Sequence, residues 1–397
     1  MTTRTFRRDR FTWLAYLLLA FYGYFLNILG PITPFLKEEL NLSYTVSSLH
    51  FTAFAVGILL VGFFGHSLIA RVGRKSALWI GAFGISAGAF FLLAGRSPVI
   101  TILSSFCMGL VGSLILVIVP SGLSDQFGEQ RAVALSEANV VASLFSAAAP
   151  LMVGWCAGLP GGWRLALGSV ALAPLLMLLG FGKINPPPPI AVQEDSSTDE
   201  SLPPLYWVYW AAIVLAVSVE FCMISWGADY LEKSLGLLKA NAAQAISLFL
   251  AGMIIGRLSG SRLVHRFSTH GVVLVSVLLA GIGFLVFWMT HIAIPALVGL
   301  FLTGLGVASL YPLILSLAIG TATRQTVQAS ARATLASGTA ILLLPLTLGR
   351  LADMVGIRQA YGVVAILLIS TFLIILIASR KHHELQDRLP ADSQQEP

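Results

Sequence analysis

Charge is what this 397-residue sequence has least of: Asp, Glu, Lys and Arg make up 11% of it, against 57% hydrophobic residues. Soluble domains carry about a quarter charged residues, so this chain cannot cover a water-facing surface, and a soluble fold is excluded. Cysteine is nearly absent. Cys107, Cys156 and Cys222 sit singly on three different apolar runs, which argues against a disulfide framework. There is no Gly-rich phosphate loop, no His/Cys metal-ligand cluster and no nucleophile–base pair. Those absences argue against an ATP-driven motor, a bound metal or other cofactor, and hydrolytic catalysis. The net charge of +6 is scattered over ends and short loops, so no nucleic-acid partner is implied.

What the chain has is apolar length. Twelve runs lie near 12–36, 44–69, 76–95, 98–123, 132–158, 162–182, 205–231, 240–264, 269–290, 293–320, 326–354 and 357–379. Each is long enough to cross a ~30 Å hydrocarbon core as a helix. The expectation is an all-α membrane protein of twelve transmembrane helices, with the lipid bilayer as its surroundings. Arg4, Arg7, Arg8 and Arg10 precede the first run, as in a signal peptide. That run continues to about Phe35, too long for a signal, and reads as the first span.

The loops are short except for 184–204, where Pro186–Pro189 is followed by Glu194, Asp195, Asp199 and Glu200. Prolines and acids without periodicity read as a solvated linker. It divides the chain into a six-helix bundle at 1–183 and another at 205–397. Most of the 24 Lys and Arg residues fall on the side of the two termini; Lys37, Arg96, Arg164, Lys233, Lys239 and Arg358 fall on the other. The positive-inside rule then places both termini in the cytoplasm, with a bacterial inner membrane as the expected plasma membrane. A monomer is the expected unit.

The two halves repeat at a constant offset of 195. Gly57 matches Gly252, Gly65 matches Gly260, Gly109-Leu110 matches Gly304-Leu305, and Pro150-Leu151 with Gly154 matches Pro345-Leu346 with Gly349. Parallel repeats related by an axis along the membrane normal are a transporter architecture.

The loop between runs 2 and 3 is Gly65-His-Ser-Leu-Ile-Ala-Arg-Val-Gly-Arg-Lys75. It resembles the G-x-L-x-D-R-x-G-R-K signature of the major facilitator superfamily, with Leu68, Arg71, Gly73, Arg74 and Lys75 matching. His66 stands where the first Gly belongs and Ala70 where the Asp belongs. In that family the Asp helps lock the two halves, so Ala70 keeps the turn and puts the lock in doubt. The span 4 Arg of the family would fall at Ser105, and the span 5 G-P motif of drug/proton antiporters is not present. Gly256-Arg257 and Gly304-Leu-Gly-Val-Ala-Ser-Leu-Tyr-Pro312 look more like the sugar- and fucose-permease branch. The resemblance implies alternating access for a small-molecule substrate.

Ionisable residues within a span are functional candidates by default. Glu220 lies roughly 22 Å along its run at 1.5 Å per residue and is the candidate for proton coupling or a substrate hydroxyl. A structural hydrogen bond is its plainer alternative. Tyr22, Tyr24 and Asn27 lie on the first run, and the offset of 195 places Asn27 at the depth of Glu220. With Trp226 and Tyr311 as apolar walls, Tyr24, Asn27 and Glu220 make a candidate substrate cavity; packing is the alternative for each aromatic. Asp229 and Glu232 read as wet, near the outer end. Arg350 is expected to pair with Asp353 or snorkel.

Glu137 and Arg257 lie ~9–11 Å from the cytoplasmic ends of spans 5 and 8. The family fold implies that these spans face each other. An ion pair between them is expected to close the cytoplasmic side in the outward-facing state. The function expected is transport of a small polar organic solute, sugar-like in character, by proton symport. Efflux of drugs or amphipathic metabolites is the alternative, and a non-transporting receptor or membrane enzyme the alternative of another class.

Overall fold

The computed structural model describes residues 7–188, 202–264, 266–322 and 325–387. Among them all regular structure is helical. The first half holds α1 (Arg10–Glu39), α2 (Tyr44–Val72), α3 (Arg74–Ala94), α4 (Pro98–Phe127), α5 (Arg131–Ala157), α6 (Arg164–Ala171) and α7 (Ala173–Phe181). The second holds α8 (Pro204–Leu235), α9 (Lys239–Leu263), α10 (Thr269–Met289), α11 (Ala293–Val307), α12 (Leu310–Thr321), α13 (Thr326–Val355), α14 (Ile357–Ala360) and α15 (Gly362–Asp387). Most of the expected linker at 184–204 lies outside the described residues.

Among the described residues eleven helical stretches are long and apolar enough to span a membrane, and one, Pro98–Ala157, runs for 60 residues. That is twice what a bilayer needs. A 3₁₀ turn at Gly128–Gln130 divides it into α4 and α5, which gives the twelve crossings expected. Three crossings are each built from two helices, α6 with α7, α11 with α12, and the short α14 with α15. Pro174 opens α7 and Pro312 lies in the first turn of α12. Neither prolyl nitrogen can donate to the preceding turn, so α6 breaks from α7, and α11 from α12.

Ends are set locally. The side chains of Asp9, Ser43, Ser97 and Ser268 each accept a backbone N–H in the first turn of the helix that follows, which satisfies donors left free at a helix start. Burial alone would push the Asp9 carboxyl up. Its hydrogen bonds from Thr12 and Gln126 outweigh that and hold it below the usual carboxylate range.

The glycines carry the repeat into packing. A Cβ on Gly57 would strike the backbone of Phe106, Gly109 and Leu110; one on Gly252 would strike that of Phe301, Gly304 and Leu305. Gly109 in turn lies against the backbone of Phe54, and Gly304 against that of Phe249. Every partner moves by 195 residues, so the same close crossing is built twice. Contacts between the halves repeat to within one residue. Gly154 lies against Ala240 and Gln244 at the start of α9, and Gly349 against Tyr44 and Ser48 at the start of α2.

Burial is greatest in α1, where 83% of the most apolar stretch is covered, against 33% in α15. α1 packs on both α5 and α8 and so sits at the centre. Leu176 and Leu179 on α7 and Ile366 and Ile369 on α15 remain exposed, as residues facing lipid must be.

The basic loop between α2 and α3 turns on Gly73, at φ 82° and ψ 152°. Only glycine reaches that region readily. Arg74 donates to Asp125 at the end of α4 (2.6 Å) and to the Pro187 carbonyl (2.8 Å). No atom lies within 4 Å of a Cβ built on Gly73, so replacing it costs backbone strain alone. Gly73→Ala is expected to destabilise the protein by about 1–3 kcal/mol, read as a lower melting temperature of the purified protein. An unchanged melting temperature would show that the turn relaxes freely.

Candidate substrate cavity

Two ends of the bundle can be told apart by charge. The basic end carries Arg8, Arg71, Arg74, Lys75, Arg131 and Lys183; the far end carries the loops around residues 41, 96, 160, 237, 291 and 356. At the far end the halves are shut. Lys37 of α1 pairs with Asp229 of α8 at 2.5 Å, and its ammonium also lies 3.5 Å from the centre of the Tyr44 ring. Lys239 pairs with Glu38. Asp353 of α13 accepts from the backbone N–H groups of Tyr44 and Thr45, both at 2.8 Å. Gly30 of α1 brings α8 close enough that a Cβ would land on the Ile224 carbonyl.

Between the halves, on the basic side of that closure, lies a cavity of about 230 Å³. α1 contributes Tyr22, Gly23 and Asn27; α5 contributes Asn139, Ser143 and Ser146; α8 contributes Glu220, and α9 contributes Arg257. Leu19, Leu26, Leu116, Leu250, Met253 and Ile254 fill the remaining wall. The Arg257 Nη2 stands 3.8 Å from the Glu220 Oε1, beyond hydrogen-bond reach, and its Nη1 donates a long 3.4 Å bond to the Ser143 Oγ. The Asn27 Nδ2 donates to the Gly23 carbonyl within its own helix. The chemistry offered is one cation, one carboxylate, two amides and three hydroxyls on an apolar frame.

A larger groove of about 550 Å³ lies between α9, α10 and α11, lined by Leu263, Phe267, Val272 and Val275 among other apolar residues and serines, with no charged side chain among the described residues. Exposed Phe267 and Val275 place it on the outer flank. It offers a polar solute serine hydroxyls and no charge, on a flank away from the boundary between the halves, so the smaller central cavity with its charged pair is the candidate site.

Of the five residues expected to form the cavity, the structure brings Asn27 and Glu220 to one wall and leaves three elsewhere. Trp226 is fully buried six residues beyond Glu220, about 9 Å toward the far end by helix rise. Its indole donates to the Pro345 carbonyl, and Tyr44 and Phe51 pack on it. It is part of the closure. The Tyr24 hydroxyl donates to the Ala166 carbonyl and ties α1 to α6. Tyr311 is half-buried on α12, off the cavity wall. In this conformation helix rotation turns Tyr24 toward α6, and depth along α8 separates Trp226 from the cavity.

Glu137 accepts from Arg8 (2.6 and 2.8 Å) and from the Tyr16 hydroxyl (2.9 Å). It makes no pair with Arg257 in this conformation, which is shut at the opposite end. Asp229, expected to be wet, is fully buried with Lys37. Asp353 caps the start of α2 rather than pairing with Arg350. Leu68 and Arg71 of the basic loop are exposed and Lys75 is half-buried. The polar stripe on α5 escaped sequence reasoning. Asn139, Ser143 and Ser146 fall at i, i+4 and i+7 on one face of an apolar helix, a legible signal.

The fold and the site together define a multi-pass membrane protein with one polar chamber between two repeated bundles. Residues 15–322 and 208–395 match the sequence profile of the Major Facilitator Superfamily, and the chain belongs to that family. It is 27% identical over 169 residues to an uncharacterized MFS-type transporter of Yersinia pestis, a match that spans 42% of this chain and 44% of that relative. A bacterial homolog of the human lysosomal transporter Spinster, solved in an inward-facing and occupied conformation, has the same fold: TM-score 0.81, 15% identity, 96% of this chain and 98% of that one. A D-xylose-proton symporter is similar over 93% and 96% of the two chains, with TM-score 0.73 and 17% identity.

Proposed function

We infer that this protein is a proton-coupled secondary transporter of a small polar organic solute, with Glu220 as the proton carrier. The observation that supports this reading is a carboxylate midway along α8 that lines the polar cavity. Intramembrane carboxylates are costly and mark ion pathways. The solved D-xylose-proton symporter of the same fold lends support to a sugar-like solute. The volume, about 230 Å³, lies below the ~300–1,000 Å³ of drug-sized sites and weighs against drug efflux.

With the termini in the cytoplasm, this conformation is the inward-facing one. The halves 1–183 and 205–397 rock about the cavity, joined by the linker 184–204. In the outward-facing state Glu137 leaves Arg8 and pairs with Arg257, closing the cytoplasmic side. Each state is stabilised by contacts the other lacks.

The test uses proteoliposomes with an imposed proton gradient and a panel of monosaccharides and hydroxy acids. Wild-type protein should accumulate a solute, and a protonophore should abolish the accumulation. Glu220→Gln should retain downhill exchange and lose accumulation altogether. Accumulation that survives both the protonophore and Glu220→Gln would sink the proton coupling.

A further inference from the structure

We propose that the solute carries a carboxylate, that Arg257 binds it, and that the substrate class is small hydroxylated acids of the aldonic and uronic type. This deepens the transport reading above and rests on it.

Arg257 is the one charged side chain that α9 brings to the cavity wall, and it is about half exposed there. A guanidinium carries five N–H donors in a rigid fork. Here one of them makes a 3.4 Å bond to Ser143, and the contact with Glu220 stays at 3.8 Å. A cation in a membrane cavity with its donors this poorly engaged is expensive. A carboxylate meets the fork with two parallel bonds, the strongest pairing a guanidinium makes. A neutral hydroxyl accepts one weaker bond and leaves the charge uncompensated. The remaining wall suits hydroxyl groups: Asn27 from α1 and Asn139 and Ser146 from α5 line the same cavity as the charged pair.

Charge balance makes the same point. Arg257 and an ionised Glu220 cancel in the empty cavity. A carboxylate alone would leave the loaded cavity at −1. A carboxylate arriving with a proton on Glu220 returns it to zero. Both states that reorient are then neutral, which avoids moving net charge through the bilayer. Among the described residues no other charged side chain lines the cavity, and in this conformation the nearby Glu137 is neutralised by Arg8. Tyr22 of α1 is the other titratable group on the wall. α12 has no charged residue, Arg332 near the start of α13 is exposed and off the cavity wall, and Arg350 and Asp353 of α13 and Arg358 of α14 lie at the far end. A neutral sugar with a proton would instead load the cavity at +1.

The proposal is tested on the full-length protein with two matched pairs: D-gluconate against sorbitol, and D-glucuronate against D-glucose. At least one acid should raise the melting temperature and bind at least tenfold more tightly than its neutral partner. Arg257→Gln should abolish that preference, and Arg257→Lys, which keeps the charge without the fork, should retain part of it. In proteoliposomes, uptake of the bound acid should acidify the lumen and be indifferent to a potassium-diffusion potential. A neutral partner that binds as tightly as its acid overturns the proposal, as does a preference that survives Arg257→Gln, or binding by none of the four. Should Arg257→Gln show no melting transition, the wild-type comparison decides alone. A neutral sugar carried with protons would overturn the acid class and leave proton-coupled transport standing. An acid that binds through Arg257 and is never carried would overturn transport and leave the anion site.

Discussion

Asp229→Asn is expected to drive the molecule out of the conformation in which its far end is shut. Asp229 has no exposed side-chain surface, and Lys37 keeps 12% of its own. Removing the carboxylate leaves a buried ammonium facing an amide and the Tyr44 ring. Breaking one partner of a buried pair costs about 3–5 kcal/mol. The pair joins α1 to α8, so that cost falls on the closed far end and is relieved when the halves separate and water reaches Lys37. At 1.4 kcal/mol per factor of ten, about 3 kcal/mol shifts the balance more than a hundredfold toward the far-side-open state. Spin labels at Asn41 and Leu238, both exposed in far-end loops beside the Glu38–Lys239 pair, would report the separation. A longer distance population should dominate in Asp229→Asn. The double change Lys37→Met with Asp229→Leu removes both charges and should restore the short distance, because no charge is left unpaired. Identical distances in wild type and Asp229→Asn would mean that the pair does not hold this end shut.

How much of this was legible in the sequence depends on the range of the physics involved. Twelve crossings were legible because hydrocarbon thickness forces each run to ~20 apolar residues, and the 60-residue stretch is divided where Gly128 interrupts it. The repeat was legible because Gly57, Gly109, Gly252 and Gly304 mark crossings too close for any Cβ. Asn27 and Glu220 stood out because a polar group in an apolar run has few inexpensive reasons to be there. The aromatics did not sort themselves. Tyr22 lines the cavity while Tyr24, two residues on, bonds to Ala166, a difference of helix rotation that composition does not encode. The Lys37–Asp229 pair was hidden for another reason. Each residue lies near the end of its run, where charge reads as wet, and only the packing of α1 on α8 takes both out of water.

Gly30→Ala and Gly109→Ala are expected to fail in opposite ways, although each puts one methyl group against a backbone. The Gly109 methyl would strike Phe54 in the neighbouring helix of the same half. α2 and α4 are packed along their length in one bundle, so no motion of one half against the other relieves the overlap. Overpacking of this kind costs about 1–3 kcal/mol, and Gly304→Ala should cost as much, since it meets Phe249 in the repeated crossing. The Gly30 methyl would strike the Ile224 carbonyl across the boundary between the halves. That overlap disappears when α1 parts from α8. Gly30→Ala should therefore keep a melting temperature near wild type and lengthen the Asn41–Leu238 distance, while Gly109→Ala and Gly304→Ala lower the melting temperature and leave that distance short. A Gly30→Ala protein that melts as early as Gly109→Ala with the short distance retained would show that α1 and α8 do not separate, and that the halves do not rock at this boundary.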